Sequence, residues 1–232
     1  MFCGTGRKFI RSLTPEEILS QADFVLEGAI GMPAIDVKRL QIMFMSMGEP
    51  LLNPKIYDTL WAFHTAYPNA ELLVSTIAPR VPFDRLVTMS AEIDKIGLQF
   101  SVHASTDEAR NLLIPFKKKL TLAEISGTGL AWHLRTGRPP FFNYIATEQN
   151  SSPADAERLA ALFPPEVWRA TVSVLCATDG QPRTEDASRA TQFANLLLSF
   201  GFSSRVFDPA GQDTIGGGCG QLWFVQDWMK NR

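Results

Sequence analysis

The cysteine at position 219 has the sequence surroundings of a reactive thiol. It lies in the segment GGGCGQL (216–222), where four glycines flank it. Glycine carries no side chain and reaches backbone conformations that other residues avoid, so a thiol in such a loop can approach a bound molecule closely. The pattern predicts a nucleophilic Cys219 on a pliable loop. A flexible linker before the last residues of the chain is the other interpretation of these glycines.

Small and polar residues also follow several apolar runs of the sequence. Gly48 and Glu49 follow such a run, and this pair can admit a ligand to the backbone and bind an ammonium group through the carboxylate. A plain turn is the alternative. His103 ends another run, where it is either a hydrogen-bonded structural residue or part of a site. Ser75 and Ser101 lie at equivalent places but carry little information by themselves.

Apolar runs and helix-like patterns alternate along the whole chain. We predict strands at 41–47, 71–76, 96–103, 141–147, 170–176 and 202–207. We predict helices at 14–26, from 53 onward, and at 82–89, 122–135, 152–162 and 185–200. Strands separated by helices form a mainly parallel sheet, either open or closed into a barrel. Ligands of such folds bind at the carboxyl ends of the strands, which is where the residues above lie.

The composition excludes several classes of protein. The 232 residues carry a net charge of -2, which is too balanced for a chain that binds nucleic acid through its overall charge. Hydrophobic residues at 45% and charged residues at 20% are typical of one globular domain over 1–232 and not of a disordered chain. No apolar stretch reaches the roughly 18 residues of a membrane span, so we expect a cytoplasmic protein without a membrane partner. The basic run 117–119 predicts a solvated loop, with a phosphate contact as the alternative.

The cysteines are few and scattered. There are three, Cys3, Cys176 and Cys219, which is too few for a disulfide framework and favours reduced thiols, reactive thiols or metal ligands. Cys176 lies in an apolar run, and we predict that it is a small core residue.

Five stretches of the chain, taken in order, carry a resemblance to a known family. They are FCGTGRKFIRSLTPEEILSQ, FMSMGEPLLNP, LLVSTIAPRVP, FSVHASTDEARNLLIPFKKK and GGCGQL. Together they resemble the radical SAM rRNA adenine methyltransferases, which methylate carbon 2 of an adenine in 23S rRNA, and their relatives that methylate carbon 8. The stretches span nearly the whole chain in the family's order, and their combination is specific although each is short.

This resemblance implies a partial (β/α)6 barrel, a 4Fe-4S cluster held by a CxxxCxxC motif, and S-adenosylmethionine bound to the open iron. A first S-adenosylmethionine gives its methyl group to the cysteine of the glycine-rich loop. Cleavage of a second, driven by an external electron donor, gives a deoxyadenosyl radical that takes hydrogen from the methylcysteine. The carbon radical adds to the adenine, and a second cysteine resolves the adduct. The implied partner is RNA, either rRNA or tRNA.

Individual residues carry over from the family's motifs by this resemblance. Cys3 matches the third cysteine of the cluster motif, and Cys219 matches the methyl-carrying cysteine. The S-adenosylmethionine contacts match Gly48, Glu49, Ser75, Ser101, Val102, His103 and Thr178.

The chain also departs from the family's pattern. The first two cluster cysteines would precede Met1, as would the family's first strand, its resolving cysteine and its RNA-binding extension. We therefore expect the C-terminal portion of a longer pattern, with a barrel that lacks its first strand. The segment before Cys219 reads FDPAGQDTIGGG and lacks the family's arginines. Two alternatives stay open: a non-catalytic paralogue that acts as a binding module, and a radical SAM enzyme that acts on another substrate.

Overall fold

Parallel strands that follow one another in sequence form the framework of the molecule. A computed structural model describes residues 9–30, 40–176 and 184–209. The strands are β1 (Gln41–Phe44), β2 (Glu71–Thr76), β3 (Ile96–Ser101), β4 (Phe141–Ile145), β5 (Arg169–Ser173) and β6 (Ser203–Phe207). Each pairs in parallel with the strand before it, so the described strands form one open sheet with β1 and β6 at its edges. The predicted α/β class with a parallel sheet is confirmed.

Helices connect the strands. They are α1 (Pro15–Ile30), α2 (Ile56–Ala66), α3 (Asp84–Glu92), α4 (Asp107–Leu113), α5 (Leu122–Thr136), α6 (Pro153–Leu162) and α7 (Thr184–Ser199). A short 3-10 turn at Pro50–Leu52 follows β1. In the parts of the chain that are described, no helix is long and apolar enough to cross a membrane.

Side-chain caps explain where two of these helices begin. The Thr14 hydroxyl accepts from the Glu17 N–H at 3.3 Å, and the Glu17 carboxylate accepts from the Thr14 N–H at 2.9 Å. This reciprocal pair is a capping box, which satisfies free N–H groups at the start of α1. Ser152 and Asp155 form the same pair at the start of α6. The predicted end of α1 at residue 26 is too early, since the helix continues to Ile30. Proline ends helices, and the next proline of the sequence comes only at position 33.

The hydrophobic core lies between the helices and one face of the sheet. Alternate strand residues point into it, such as Val74 of β2 and Leu98 and Phe100 of β3. Trp168 is fully buried just before β5. Its ring lies so close to α5 that a methyl group on Gly129 would be 2.1 Å from the ring. The core side of the sheet is therefore tightly packed around aromatic rings.

Four of the predicted strands extend too far at their carboxyl ends. The strands end at Phe44, Ser101, Ile145 and Ser173, whereas the sequence pattern ends them at 47, 103, 147 and 176. Burial continues where strand pairing stops, since Val102 and Cys176 are buried although they lie beyond the ladders. An apolar pattern indicates burial and not strand hydrogen bonding, so the strands predicted from it extend beyond the last paired residue. The prediction that Cys176 is a core residue is confirmed.

The start of α2 also differs from the prediction. The sequence pattern places it at Asn53 and Pro54, but the helix begins at Ile56. The Asn53 carboxamide instead stabilises the preceding turn, because its oxygen accepts from the Lys55 N–H at 3.0 Å and its nitrogen donates to the Leu13 carbonyl at 2.9 Å. This is the local hydrogen bonding through which asparagine competes with helix formation.

A helix that the sequence pattern does not predict, α4, follows β3. It has seven residues, too few for a clear helical period, and Thr106 caps it. The basic run after α4 matches the predicted solvated loop only in part. Lys117 and Lys118 are exposed, but Lys119 is buried and its ammonium group donates to the Phe116 carbonyl at 3.0 Å.

Candidate functional site

Most of the predicted site residues lie at one edge of the sheet. Those in the described part of the chain are Gly48, Glu49, Ser75, Ser101, Val102 and His103. Strands β1, β2 and β3 are parallel neighbours, so their carboxyl ends place these residues side by side. We call this the carboxyl edge. Cys3, Thr178 and Cys219 lie outside the described residues, and their roles stay predictions.

Glu49 links the first two strands at the carboxyl edge. Its Oε1 accepts from the Thr76 hydroxyl at 2.6 Å, and its Oε2 accepts from the Ile77 N–H at 2.7 Å. Oε1 also accepts from the Leu51 N–H at 3.0 Å, which caps the 3-10 turn after β1. Donors from both sides therefore hold the carboxylate in one orientation.

The carboxylate of Glu49 suits a positively charged ligand group. Burial raises the pKa of the Glu49 carboxyl, and its three hydrogen bonds oppose that rise. A carboxylate offers about four acceptor positions, and donors from the described residues occupy two on Oε1 and one on Oε2. Oε2 can accept one more donor. An ammonium group there would supply the positive charge that offsets the cost of burying the carboxylate.

The backbone at the carboxyl edge takes conformations that are costly for residues with a side chain. Ser46, Ala78 and His103 have φ values of 76°, 58° and 58°, and they follow β1, β2 and β3 in turn. No other non-glycine residue in the described ranges has a positive φ. Gly48 has a φ of 91°, and the space beside it is open, since an added Cβ would meet no atom within 4 Å. Strained backbone of this kind clusters at ligand sites.

The sheet face opposite the core is polar and partly exposed near this edge. The Gln99 side chain donates to the Ser75 hydroxyl at 3.3 Å. On the neighbouring strands, the Ser173 hydroxyl donates to the Asn143 side-chain oxygen at 2.8 Å. The register pairs Ser101 with Asn143, so these groups form a continuous polar surface from β2 to β5.

An arginine extends this polar surface onto β6. The Arg205 Nε donates to the Thr171 hydroxyl at 3.1 Å, and its guanidinium lies 5.2 Å from the centre of the Phe141 ring. Arg205 is exposed. The far half of the polar surface thus presents a cation beside an aromatic ring, an arrangement suited to planar or anionic groups.

His103 joins β3 to the end of β4. Its Nδ1 accepts from the Ile145 N–H at 3.2 Å, and its carbonyl accepts from the Asn150 carboxamide at 2.8 Å. Burial, together with the nearby charge of Arg110, lowers the pKa of His103 to about 3. The imidazole is therefore neutral at physiological pH, with its proton on Nε2. These contacts agree with the hydrogen-bonded structural interpretation of His103, and its contact with a ligand stays a prediction.

Ser101 and Val102 present different groups at this edge. The Val102 side chain is fully buried in the core, and its N–H donates to the Asn143 carbonyl at 3.0 Å. Any contact between Val102 and a ligand is therefore limited to its main-chain carbonyl. The Ser101 carbonyl accepts from the Arg110 side chain at 3.0 Å, so its hydroxyl is the group that can face a ligand.

Sequence reasoning assigned no role to two side chains of this edge, Thr76 and Arg110. Thr76 ends β2 and bonds to Glu49, but a threonine in an apolar strand gives no signal of such a role. Arg110 lies in the stretch FSVHASTDEARNLLIPFKKK, which carries part of the resemblance. Its place in that stretch was a usable signal, although no spacing rule indicates which groups it contacts.

Metal ligands are not gathered in the described ranges 9–30, 40–176 and 184–209. Within them, no group of three or more His, Cys, Asp and Glu side chains could hold a metal ion. Cys176 lies in the core, with its sulfur 4.0 Å from the Val174 carbonyl oxygen. A cluster site would therefore depend on residues outside these ranges.

This fold is shared with α/β methyltransferases of the radical SAM type. The structure is similar to that of a radical SAM methyltransferase from Sphaerobacter thermophilus, with a TM-score of 0.77 and 25% identity. The match covers 95% of this chain and 65% of that one. No protein-family model matches the chain.

The sequence relatives are named as RNA methyltransferases. A probable RNA methyltransferase of Rhodopseudomonas palustris is 32% identical over 96% of this chain. The dual-specificity RNA methyltransferase RlmN of Rhizobium etli is 32% identical over 99% of it. The chain is thus a homologue of the radical SAM RNA methyltransferases, and the resemblance found in its motifs is confirmed. It spans about 60% of the length of these two relatives.

Proposed function

We propose that this chain is the S-adenosylmethionine-binding part of a radical SAM methyltransferase that acts on an adenine of RNA. The observation that carries the proposal is the Glu49 carboxylate, which three donors orient beside the open space at Gly48. The names of the relatives support the methyltransferase activity and the RNA substrate. The proposed RNA substrate is either rRNA or tRNA.

The ligand would bind along the carboxyl edge. Its ammonium group donates to Glu49 Oε2, and the absence of a side chain at Gly48 lets the ligand approach the backbone. The hydroxyls of Ser75 and Ser101 are within the same edge and serve the remaining polar groups. The polar surface that continues to Arg205 and Phe141 offers a cation and an aromatic ring for contact with an adenine next to the bound ligand.

Cys219 is the proposed methyl acceptor. Its thiolate sulfur attacks the methyl carbon of S-adenosylmethionine, a new S–C bond forms, and the sulfonium S–CH3 bond breaks with release of S-adenosylhomocysteine. The proton of the thiol passes to solvent beforehand. Mass spectrometry of the peptide that contains Cys219 would detect one added methyl group, and Cys219→Ala should abolish that signal while S-adenosylmethionine still binds.

The cluster that the radical step requires does not fit the cysteines of this chain alone. Of Cys3, Cys176 and Cys219, only Cys3 matches the three-cysteine motif, and Cys176 is buried in the core. A single thiolate cannot hold a cubane with one open iron.

Substitution of Glu49 tests the ligand site directly. Glu49→Gln should weaken S-adenosylmethionine binding about tenfold or more, because the amide loses the charge that attracts the ammonium group. Binding to the unchanged chain should strengthen as pH rises through the raised pKa of Glu49, since only the carboxylate attracts the cation. Calorimetric titration at several pH values measures both effects.

The matched control for that experiment is Glu124→Gln. Glu124 also accepts hydrogen bonds near a helix start, from Thr121 and Arg80, but it lies on α5 and outside the carboxyl edge. This variant should bind S-adenosylmethionine like the unchanged chain. Equal losses in both variants, or unchanged binding in Glu49→Gln, would overturn the assignment of Glu49.

A binding module without radical chemistry is the second candidate function, and the segment before Cys219, which lacks the family's arginines, favours it. Iron analysis after anaerobic reconstitution of the full chain separates the two. About four irons per chain would exclude the binding module, because only a complete site holds the cubane. Firm S-adenosylmethionine binding with no retained iron would favour it.

A further inference from the structure

A buried guanidinium lies directly behind the carboxyl edge. Arg110 of α4 is 1% exposed, and its four hydrogen bonds all go to main-chain carbonyl oxygens. Burial lowers the pKa of the Arg110 guanidinium to about 10, so it stays charged at neutral pH. Burial of a charge is costly unless its donors are hydrogen-bonded, and these bonds engage four of the five N–H groups of the guanidinium.

The acceptors of Arg110 belong to three separate segments. Nη2 donates to Ile77 after β2 at 2.8 Å and to Ser101 at the end of β3 at 3.0 Å. Nε donates to Ser101 as well, at 3.3 Å, and Nη1 donates to Leu120 before α5 at 2.8 Å. One rigid, planar group therefore fixes the distances between these segments.

Two of the acceptors belong to the candidate site itself. The peptide group on the amino side of Ile77 donates its N–H to Glu49, and the carbonyl of Ile77 accepts from Arg110. Ile77 is thus held from both sides. Ser101, which offers its hydroxyl to the ligand, is held by its carbonyl.

The same contacts enclose a strained position. Ala78 follows Ile77 and has a φ of 58°, which costs a residue with a Cβ about 1–2 kcal/mol. Its carbonyl accepts from the Leu120 N–H at 2.8 Å, and the carbonyl of Leu120 accepts from Arg110. The segment 76–78 keeps this conformation because Glu49, Arg110 and Leu120 hold it together.

We propose that Arg110 is a positioning residue of the ligand site, whose buried guanidinium holds Ile77 and Ser101 in the arrangement that orients Glu49 and the Ser101 hydroxyl. This inference rests on the proposed function, because it assigns Arg110 a role in binding the same ligand. Arg110 does not touch the ligand, and it acts through the two strand ends that do.

The structure provides a matched control at the opposite edge of the sheet. Arg138 is half-buried, whereas Arg110 is fully buried, but its hydrogen bonds also go only to main-chain carbonyls, those of Ile93, Asp94 and Ser90. These carbonyls lie at the end of α3 and before β3, far along the strands from Glu49. Loss of either guanidinium removes comparable hydrogen bonds, but only Arg110 lies behind the site.

The experiment compares Arg110→Met with Arg138→Met in the full chain. Both variants should lower Tm. Only Arg110→Met should weaken S-adenosylmethionine binding, by about tenfold or more, since a small displacement of positioning groups has that effect. Only Arg110→Met should also speed hydrogen exchange at the Ile77 amide, measured by mass spectrometry or NMR.

Arg110→Lys keeps the experiment informative if Arg110→Met does not fold. Lysine retains a charge but cannot reach three carbonyls at once, so binding should still fall and the Ile77 amide should still exchange faster. Unchanged exchange and affinity in the lysine variant would overturn the proposal, as would equal affinity losses in Arg110→Met and Arg138→Met. If the unchanged chain fails to bind S-adenosylmethionine, the proposed function fails, and the exchange of Ile77 still decides whether Arg110 fixes this segment.

Discussion

The two edges of the sheet reverse the chain in different ways. At the amino edge, where helices lead into strands, Gly137 and Gly201 take the left-handed conformations. At the carboxyl edge, Gly48 has a positive φ as well, but Ser46, Ala78 and His103 also take such conformations although each carries a side chain. A left-handed residue with a Cβ costs about 1–2 kcal/mol, which glycine avoids.

This difference shows where the fold gives up stability. The amino edge relieves every left-handed position in the described residues with glycine, as a purely structural turn does. The carboxyl edge keeps side chains at such positions and buries an imidazole, a carboxylate and a guanidinium next to them. Strain and buried polar groups together are typical of a region selected for binding.

Acid should destabilise the protein mainly through His103, and this is the largest effect that we expect. Its folded pKa of about 3 lies below the unfolded value of 6.5, so the unfolded chain binds more protons between these values. Stability is therefore full above about pH 6.5 and falls by about 1.4 kcal/mol per pH unit below it. Urea unfolding at a series of pH values measures the slope.

The variant His103→Gln localises that acid effect to the carboxyl edge. Glutamine can accept the Ile145 hydrogen bond but does not titrate, so the slope between pH 6.5 and 3 should become shallower. His64→Gln on α2, away from the carboxyl edge, is the control. If His103→Gln kept the slope of the unchanged chain, the acid destabilisation would not come from the buried imidazole at the carboxyl edge.

A pair of glycines on α5 tests the tight packing behind the amino edge. Gly129→Ala would place a methyl group 2.1 Å from the Trp168 ring, so it should lower the free energy of unfolding by about 2 kcal/mol. Gly127→Ala on the same helix meets no atom within 4 Å and should raise it by about 1 kcal/mol. Denaturant unfolding of both variants measures the difference, and effects of the same sign would contradict it.

An exchange of residue types between the edges should give the smallest effects. Ser46→Gly relieves left-handed strain at an exposed position and should raise the free energy of unfolding by about 0.5 kcal/mol, after the added entropy of the unfolded chain. Gly137→Ala creates the same strain at the amino edge and should lower it by about 1 kcal/mol. Thermal unfolding of the two variants tests the signs, and a stabilising Gly137→Ala would count against the comparison.

Local patterns were enough to predict the framework of the molecule. The apolar runs predict all six described strands, and the rule for parallel sheets places Gly48, Glu49 and His103 at the edge where the structure has them. Capping pairs predict the starts of α1 and α6 because their residues are only three positions apart. Such features depend on neighbours in sequence.

The interactions that complete the site are not local. Glu49 bonds to Thr76 and Ile77, which are 27 and 28 residues away, and Arg110 bonds to Ile77 across 33 residues. No periodicity records such pairs, because each depends on how two strands and a helix pack in three dimensions. The strand ends were overestimated for a related reason, since buried loop residues such as Val102 continue the apolar pattern.

The sequential order of the strands has a consequence for how the protein is made. Each strand pairs with the one before it, so the sheet can grow in the order in which the ribosome releases the chain. The contacts of Glu49 and all the acceptors of Arg110 lie within the first 120 residues. The ligand-binding half of the carboxyl edge can therefore assemble on the nascent chain before β4, β5 and β6 have been synthesised.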